Sequence, residues 1–144
     1  MMMKRRLLYV LFIFILGACS QQEVEEKSSK TYDITLEDVE TVIAEQGFEL
    51  ENTELSSEDF FMQELNEMPP EVYILEGHTL SVYVFPSEGE REKGVQRFEE
   101  ITAAAELVEH KVYEISNLLV FYVNNDEKVQ NRLLEALKNL DVST

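Results

Sequence analysis

A second cysteine is missing: Cys19 stands alone, so no disulfide can form within the chain. Bases are scarce, with 12 Lys and Arg against 29 Asp and Glu and a net charge of −17. That balance argues against nucleic acid, whose binding needs Lys and Arg to displace counterions. Only two histidines occur, His78 and His110, and neither has a His, Cys or carboxylate at recognisable ligand spacing. No nucleophile elbow, phosphate loop, HExxH or EF-hand loop can be read. With so many acids, chance carboxylate pairs are guaranteed and name no acid/base couple. No catalytic residue, metal ligand or dissociable cofactor is therefore expected. A run of the roughly 20 apolar residues needed to span a bilayer is absent as well.

The apolar run that is present, Leu7–Leu16, follows Lys4, Arg5 and Arg6 and precedes Gly17, Ala18 and Cys19. A basic flank, a short apolar stretch and small residues before a cut site read as an export signal. Leu16-Gly17-Ala18-Cys19 resembles the bacterial lipobox, in which cleavage falls between Ala18 and Cys19 and the cysteine carries a diacylglyceryl group. Two acyl chains at about 0.8 kcal/mol per buried CH₂ hold a soluble domain stably on a membrane, where one chain does so only marginally. The expectation is a signal peptide over 1–18, an anchor at Cys19, and a location at the extracytoplasmic face of the cell membrane. Removal of the signal deletes three bases and takes the net charge from −17 to −20. That also argues against a second, electrostatic hold on anionic lipid.

Residues 19–33 are polar, charged and poor in apolar side chains, as a disordered acidic tether would be. A single globular domain is expected over 34–141. Thr35 and Asp38 resemble a capping box, Leu36, Val39, Val42 and Ile43 form an apolar stripe, and Gly47 suits a left-handed cap, so a helix is expected over 36–46. Phe48–Leu55 alternates briefly and suggests an edge strand. Ser57 could cap a helix over 58–67 with Phe61, Leu65 and Met68 inward, ended by Pro69-Pro70, although a packed loop fits equally.

Two hairpin-then-helix stretches follow. Val72–Glu76 and Thr79–Phe85 flank a turn placed at Gly77-His78, and Ser87 with Glu90 starts a helix over 88–105. Val112–Ile115 and Leu118–Asn124 flank Ser116-Asn117, and Asn125 or Asp126 caps a helix over 127–140. Glu88, Glu90 and Glu92 near Ser87 suit the positive end of a helix better than a calcium site. Val72-Tyr73 matches Val112-Tyr113 at an offset of 40, while Leu80, Tyr83 and Val84 match Leu119, Tyr122 and Val123 at 39. Duplication of one unit and coincidence of two common motifs both explain this. The lost residue leaves the second hairpin's register open, since a slip of one exchanges the faces. The expected fold is an α+β two-layer domain: four to five mainly antiparallel strands, with the helices over 88–105 and 127–140 sharing one face.

Both strand pairs are apolar on both faces. Tyr83 and Phe85, with Tyr122 in the matching place, therefore mark a second face that is either covered by the N-terminal helices or left open as a binding surface.

The chain resembles a group of small extracytoplasmic lipoproteins of Gram-positive bacilli. The matching pattern is Gln46-Gly47-Phe48, Val72-Tyr73, Leu80 with Val82-Tyr83-Val84-Phe85, Thr102-Ala103-Ala104-Ala105, and Val112-Tyr113 with Leu118-Leu119-Val120-Phe121-Tyr122. It covers about residues 34–140. The resemblance implies membrane attachment outside the cell and a small α/β domain, and it implies no reaction. The expected function is that of a lipid-anchored, non-enzymatic binding or protein-interaction module of the envelope, with an envelope protein or peptide as partner. The alternatives are an envelope hydrolase using acidic residues and a purely structural component.

Overall fold

The computed structural model describes residues 33–142. The signal segment, Ala18, Cys19 and the tether up to residue 32 lie outside the described residues. The architecture is the expected α+β one: an antiparallel five-stranded sheet with three helices. Helix α1 spans Leu36–Glu45, and its box is complete: Asp38 N–H donates to Thr35 Oγ1 at 3.2 Å, and Thr35 N–H donates to Asp38 Oδ2 at 2.9 Å. The expected strand after it shrinks to β1, Glu51–Asn52, on the edge of the sheet: Phe48 and Leu50 face the core on either side of exposed Glu49, but only Glu51 and Asn52 pair with the next strand.

The helix expected over 58–67 is not formed. A single 3₁₀ turn, Phe60–Met62, takes its place, capped by Asp59, whose Oδ1 accepts the Phe61 N–H at 2.8 Å. Asn66 and Glu67 have positive φ, and Leu65 bridges Met68 across them, so the backbone reverses where a helix would have continued. Phe61 and Leu65 are nonetheless buried, as their sequence spacing suggested.

Strands β2 (Glu71–Leu75) and β3 (His78–Val84) form the first hairpin. Its turn is Glu76-Gly77, one residue earlier than expected, with Leu75 opposite His78. Both turn residues have positive φ, 51° and 79°, the conformation that matches hairpin twist. Glycine supplies the second position at no steric cost, while Glu76 adopts it against its intrinsic preference. Strands β4 (Lys111–Ile115) and β5 (Leu118–Tyr122) form the second hairpin around Ser116-Asn117, as expected. The sheet order is β1-β2-β3-β5-β4.

This register settles the repeat. Leu75 and His78 flank one turn, Ile115 and Leu118 the other, so both hairpins match at an offset of 40. Tyr83 thus corresponds to Val123, and Tyr122 to Val82. Pairing the two tyrosines at 39 exchanges the sheet faces.

Helix α2 (Glu88–Thr102) and helix α3 (Glu127–Val142) do not share a face. Tyr73, Leu75, Leu80, Val82, Tyr113, Leu118, Val120 and Tyr122 form one face, covered by α1 through Val39, Val42 and Ile43 and by α3 through Leu133, Leu137 and Leu140. Tyr83, Phe85, Leu119 and Phe121 form the other, covered by Phe98 of α2 and by Phe61 and Leu65. The connections decide this. Phe85 points to the second face, and α2 passes so close over its ring that only a glycine, Gly94, fits there. After β5, Asn124 Oδ1 accepts the Asn125 and Asp126 N–H groups at 2.7 and 3.2 Å, and Asp126 Oδ1 accepts that of Lys128, steering α3 to the first face.

Asn117 joins three segments. Its Nδ2 donates to Ile34 O at 2.9 Å and to Phe85 O at 3.0 Å, and its Oδ1 accepts the Ile34 N–H at 2.9 Å. The side chain is buried and all three bonds are internal. Asn117→Ala is expected to cost about 2–4 kcal/mol, because it strands backbone groups away from water. Urea denaturation checks this, and an unchanged midpoint would refute the clasp. Gly94→Ala gains helix propensity of about 1 kcal/mol but drives a methyl into the Phe85 ring. Overpacking of that kind costs roughly 1–3 kcal/mol, so the melting temperature should fall. A double-mutant cycle with Phe85→Leu should recover part of the loss, and simple additivity would place the clash elsewhere.

Candidate functional site

The residues singled out in the sequence are not gathered into one surface. Tyr83 and Phe85 are 0% and 2% exposed beneath the 3₁₀ turn and α2, while Tyr122, at 0%, lies on the opposite face. The binding face drawn from these three is corrected accordingly: the offset of 40 separates Tyr122 from the other two, and both faces are covered. Cys19 and Ala18 lie outside the described residues.

What Tyr83 belongs to is an aromatic cluster. Its ring is stacked with Phe85 at 6.1 Å and meets Phe121 edge-on at 5.9 Å, and Phe121 lies 4.4 Å from Phe98. Phe61 extends the cluster to Phe98, Phe121 and His110, the imidazole being 4.8 Å away. His110 Nδ1 lies 2.9 Å from Val108 O, so this histidine fixes a loop. His78 is an exposed first residue of β3, edge-on to Tyr122. Glu88 and Glu92 pair with Arg91 at 3.5 and 3.9 Å, and Glu90 pairs with Lys93 at 3.0 Å. These acids serve the ion pairs of α2. Among the described residues no group of three or more His, Cys, Asp or Glu side chains could hold a metal, and no helix is long and apolar enough to cross a membrane.

Each buried tyrosine hydroxyl has an acceptor. Tyr73 donates to Glu40 Oε1 at 2.6 Å, Tyr83 to Gln63 O at 2.6 Å, Tyr113 to Gln130 O at 2.8 Å and Tyr122 to Leu75 O at 3.0 Å. Burial pushes all four phenols above their ordinary range, and for Tyr73 the bond to the Glu40 carboxylate pushes further the same way.

The surface feature that could bind a ligand lies elsewhere. The 3₁₀ turn, the segment after α2 and the residue after β5 enclose an open groove of about 380 Å³. Phe60, Phe61, Leu107, Val108 and Val123 give it an apolar lining, and Glu58, Asp59 and Glu106 stand around it. Phe60 is 39% and Val108 62% exposed. The turn that makes this wall is tightly held: Gln63 Nε2 donates to Ser57 O and Asp59 O, both at 2.8 Å, so Phe61 enters the core while Phe60 faces out. Sequence reading missed Phe60 and Val108. The available signals were the adjacent Phe60-Phe61 pair and Leu107-Val108 set between Glu106 and Glu109. A second cavity, of about 470 Å³, is lined by Glu49, Glu51 and Glu76 beside Gly47, Ile74 and Gly77 and is mainly polar.

No family model matches the chain, and no curated protein or solved structure does.

The raised phenols carry a pH dependence. A group whose folded pKa exceeds its unfolded value, about 10 for tyrosine, stabilises the fold fully below that value and loses this contribution as pH rises above it. Alkaline titration should therefore show the absorbance of these phenolates appearing together with loss of ellipticity. Ionisation of all six tyrosines near the ordinary value, with the fold intact, would contradict the burial.

Proposed function

We infer that this chain is a lipid-anchored extracytoplasmic protein whose globular part is a non-enzymatic interaction module of the cell envelope. One observation carries the interaction reading: the open apolar groove at Phe60 and Val108, since large side chains held in solvent by an otherwise closed core commonly mark a protein contact. Anchoring is supported by Leu16-Gly17-Ala18-Cys19 behind a basic flank and a short apolar run. The resemblance to extracytoplasmic lipoproteins of Gram-positive bacilli supports the same location. On this reading the anchor is covalent lipid on Cys19, and the partner is an envelope protein or peptide.

Two measurements test the proposal. Cys19→Ala should abolish incorporation of labelled fatty acid and move the protein from the membrane fraction to the medium or to an uncut precursor. Retention of label in that variant would refute the anchor. Crosslinking in intact cells, from photoreactive residues spread over the domain, should capture a discrete envelope protein, and a domain that crosslinks to nothing from any face would refute the interaction role.

A further inference from the structure

We propose that the Phe60–Val108 groove docks a cationic peptide segment that carries an apolar anchor, supplied by the partner. The inference rests on the reading of the domain as an interaction module and adds the site and the chemistry of its ligand.

Two of the most exposed apolar side chains share one place. Among the described residues the exposed large hydrophobics are Leu55, Phe60, Val108 and Val112. Phe60 and Val108 line the groove, and Leu55 adjoins Ser56, another lining residue. Desolvating such a cluster is favourable at roughly 25 cal/mol per Å² of apolar surface. A groove of about 380 Å³ sits at the small end of binding pockets. It suits apolar side chains projecting from a peptide better than an extended cofactor.

Charge names the rest of the ligand. Glu58, Asp59 and Glu106 surround the apolar lining, and among the described residues no Lys or Arg lines it. Five acids elsewhere stand in ion pairs: Glu88, Glu92 and Glu114 around Arg91, Glu90 with Lys93, and Glu100 with Arg97. Among the described residues no ion pair of that kind involves the three acids of the groove. A ligand bearing Lys or Arg beside its apolar anchor would meet complementary potential there.

Other occupants fit poorly. The chain's own segment 20–32 has Lys27 and Lys30 but also Glu23, Glu25 and Glu26, so it brings no net positive charge to the rim. A second copy would bring an equally acidic molecule, and anionic lipid or nucleic acid would be repelled. The walls are also preformed. Phe61 is fixed by Phe98 and Phe121, the 3₁₀ turn by Asp59 and Gln63, and the Val108 segment by His110. A preformed groove lowers the ordering cost of binding.

The test uses the full chain in detergent and two labelled synthetic peptides followed by fluorescence anisotropy. In one peptide lysines flank a Leu-Phe pair; in the other glutamates replace the lysines. The lysine peptide should bind, more weakly as salt is raised, and the glutamate peptide should not. Phe60→Ser with Val108→Ser should weaken binding by about tenfold, the effect of losing an apolar anchor. Glu58→Lys with Glu106→Lys should weaken it while leaving the apolar lining intact. Both pairs alter exposed side chains, so an unchanged melting temperature shows that the fold is retained.

Equal binding of the two peptides, failure of both to bind, or unchanged binding by either double variant would overturn the proposal. So would self-association abolished by Phe60→Ser, which would place a second copy in the groove. Peptide competition by phosphatidylglycerol vesicles would place a membrane there instead. In cells, capture of the same partner by wild type and by the Phe60→Ser, Val108→Ser variant would overturn the groove and leave the interaction role standing. Absence of any crosslinked partner would remove both.

Discussion

The carboxamide of Asn117 is the point on which the domain closes. It sits in the turn of the second hairpin, yet its three hydrogen bonds reach Ile34, just before α1, and Phe85, just after β3. Two of them treat Ile34 as a strand partner would, by satisfying both its N–H and its C=O. Phe85 N–H completes the junction by donating to Asn117 O at 2.9 Å. Ile34 is thereby held in the core immediately before the Thr35 cap, and the cap sets the start of α1. Buried amides are costly unless fully paired, and this one is paired at every atom the geometry can reach. A side chain without both a donor and an acceptor could not serve the two groups of Ile34.

The cover is divided over the two faces of the sheet. Strands as apolar as β3 and β5 need burial on both sides, and the chain provides it asymmetrically. One side takes the α1–α3 pair, latched where Arg132 stacks over Phe48 at 4.2 Å and donates to Gln46 O at 3.1 Å. The other takes α2 and the 3₁₀ segment. Tyrosines then fasten sheet to cover. Tyr73 reaches α1, Tyr113 reaches α3, and Tyr83 reaches the backbone beside the 3₁₀ turn. A phenol suits each place because its ring fills the core while its hydroxyl meets a polar group at the boundary.

Much of this was legible in the residues. The capping box at Thr35 and Asp38, the order of hairpins and helices, and the alternation of faces along β3 and β5 all follow from local spacing. The misses have physical causes. Gly77 is the obvious first position of the first turn by residue type, whereas Glu76 holds the left-handed conformation that its type rarely adopts. Identical residues align the second strands of the repeat at an offset of 39, but register is counted from the turns, and one residue of difference exchanges the faces. Amphipathic stripes show that α2 and α3 each bury a face; they cannot show against which side of the sheet. That depends on Gly94 meeting Phe85 and on the capping turn after Tyr122, contacts between residues distant from the stripes themselves.

The groove shows why site and fold were unequally legible. Phe60 and Phe61 are chemically identical neighbours, and a sequence pattern treats one as a spare copy of the other. The 3₁₀ turn separates them: Asp59 accepts the Phe61 N–H, Gln63 ties down Ser57 and Asp59, and the two rings are sent to opposite sides of the same backbone. Phe61 consequently belongs to both environments, packing on Phe98 and Phe121 beneath and forming part of the groove above. The exposed wall cannot shift without disturbing the aromatic cluster, so core packing fixes the position of the groove's apolar surface. An α-helix over 58–67 would have spread these side chains around a cylinder. The tight reversal at Asn66 and Glu67 instead concentrates them at one place, and the exposure of Phe60 follows from the geometry that buries Phe61.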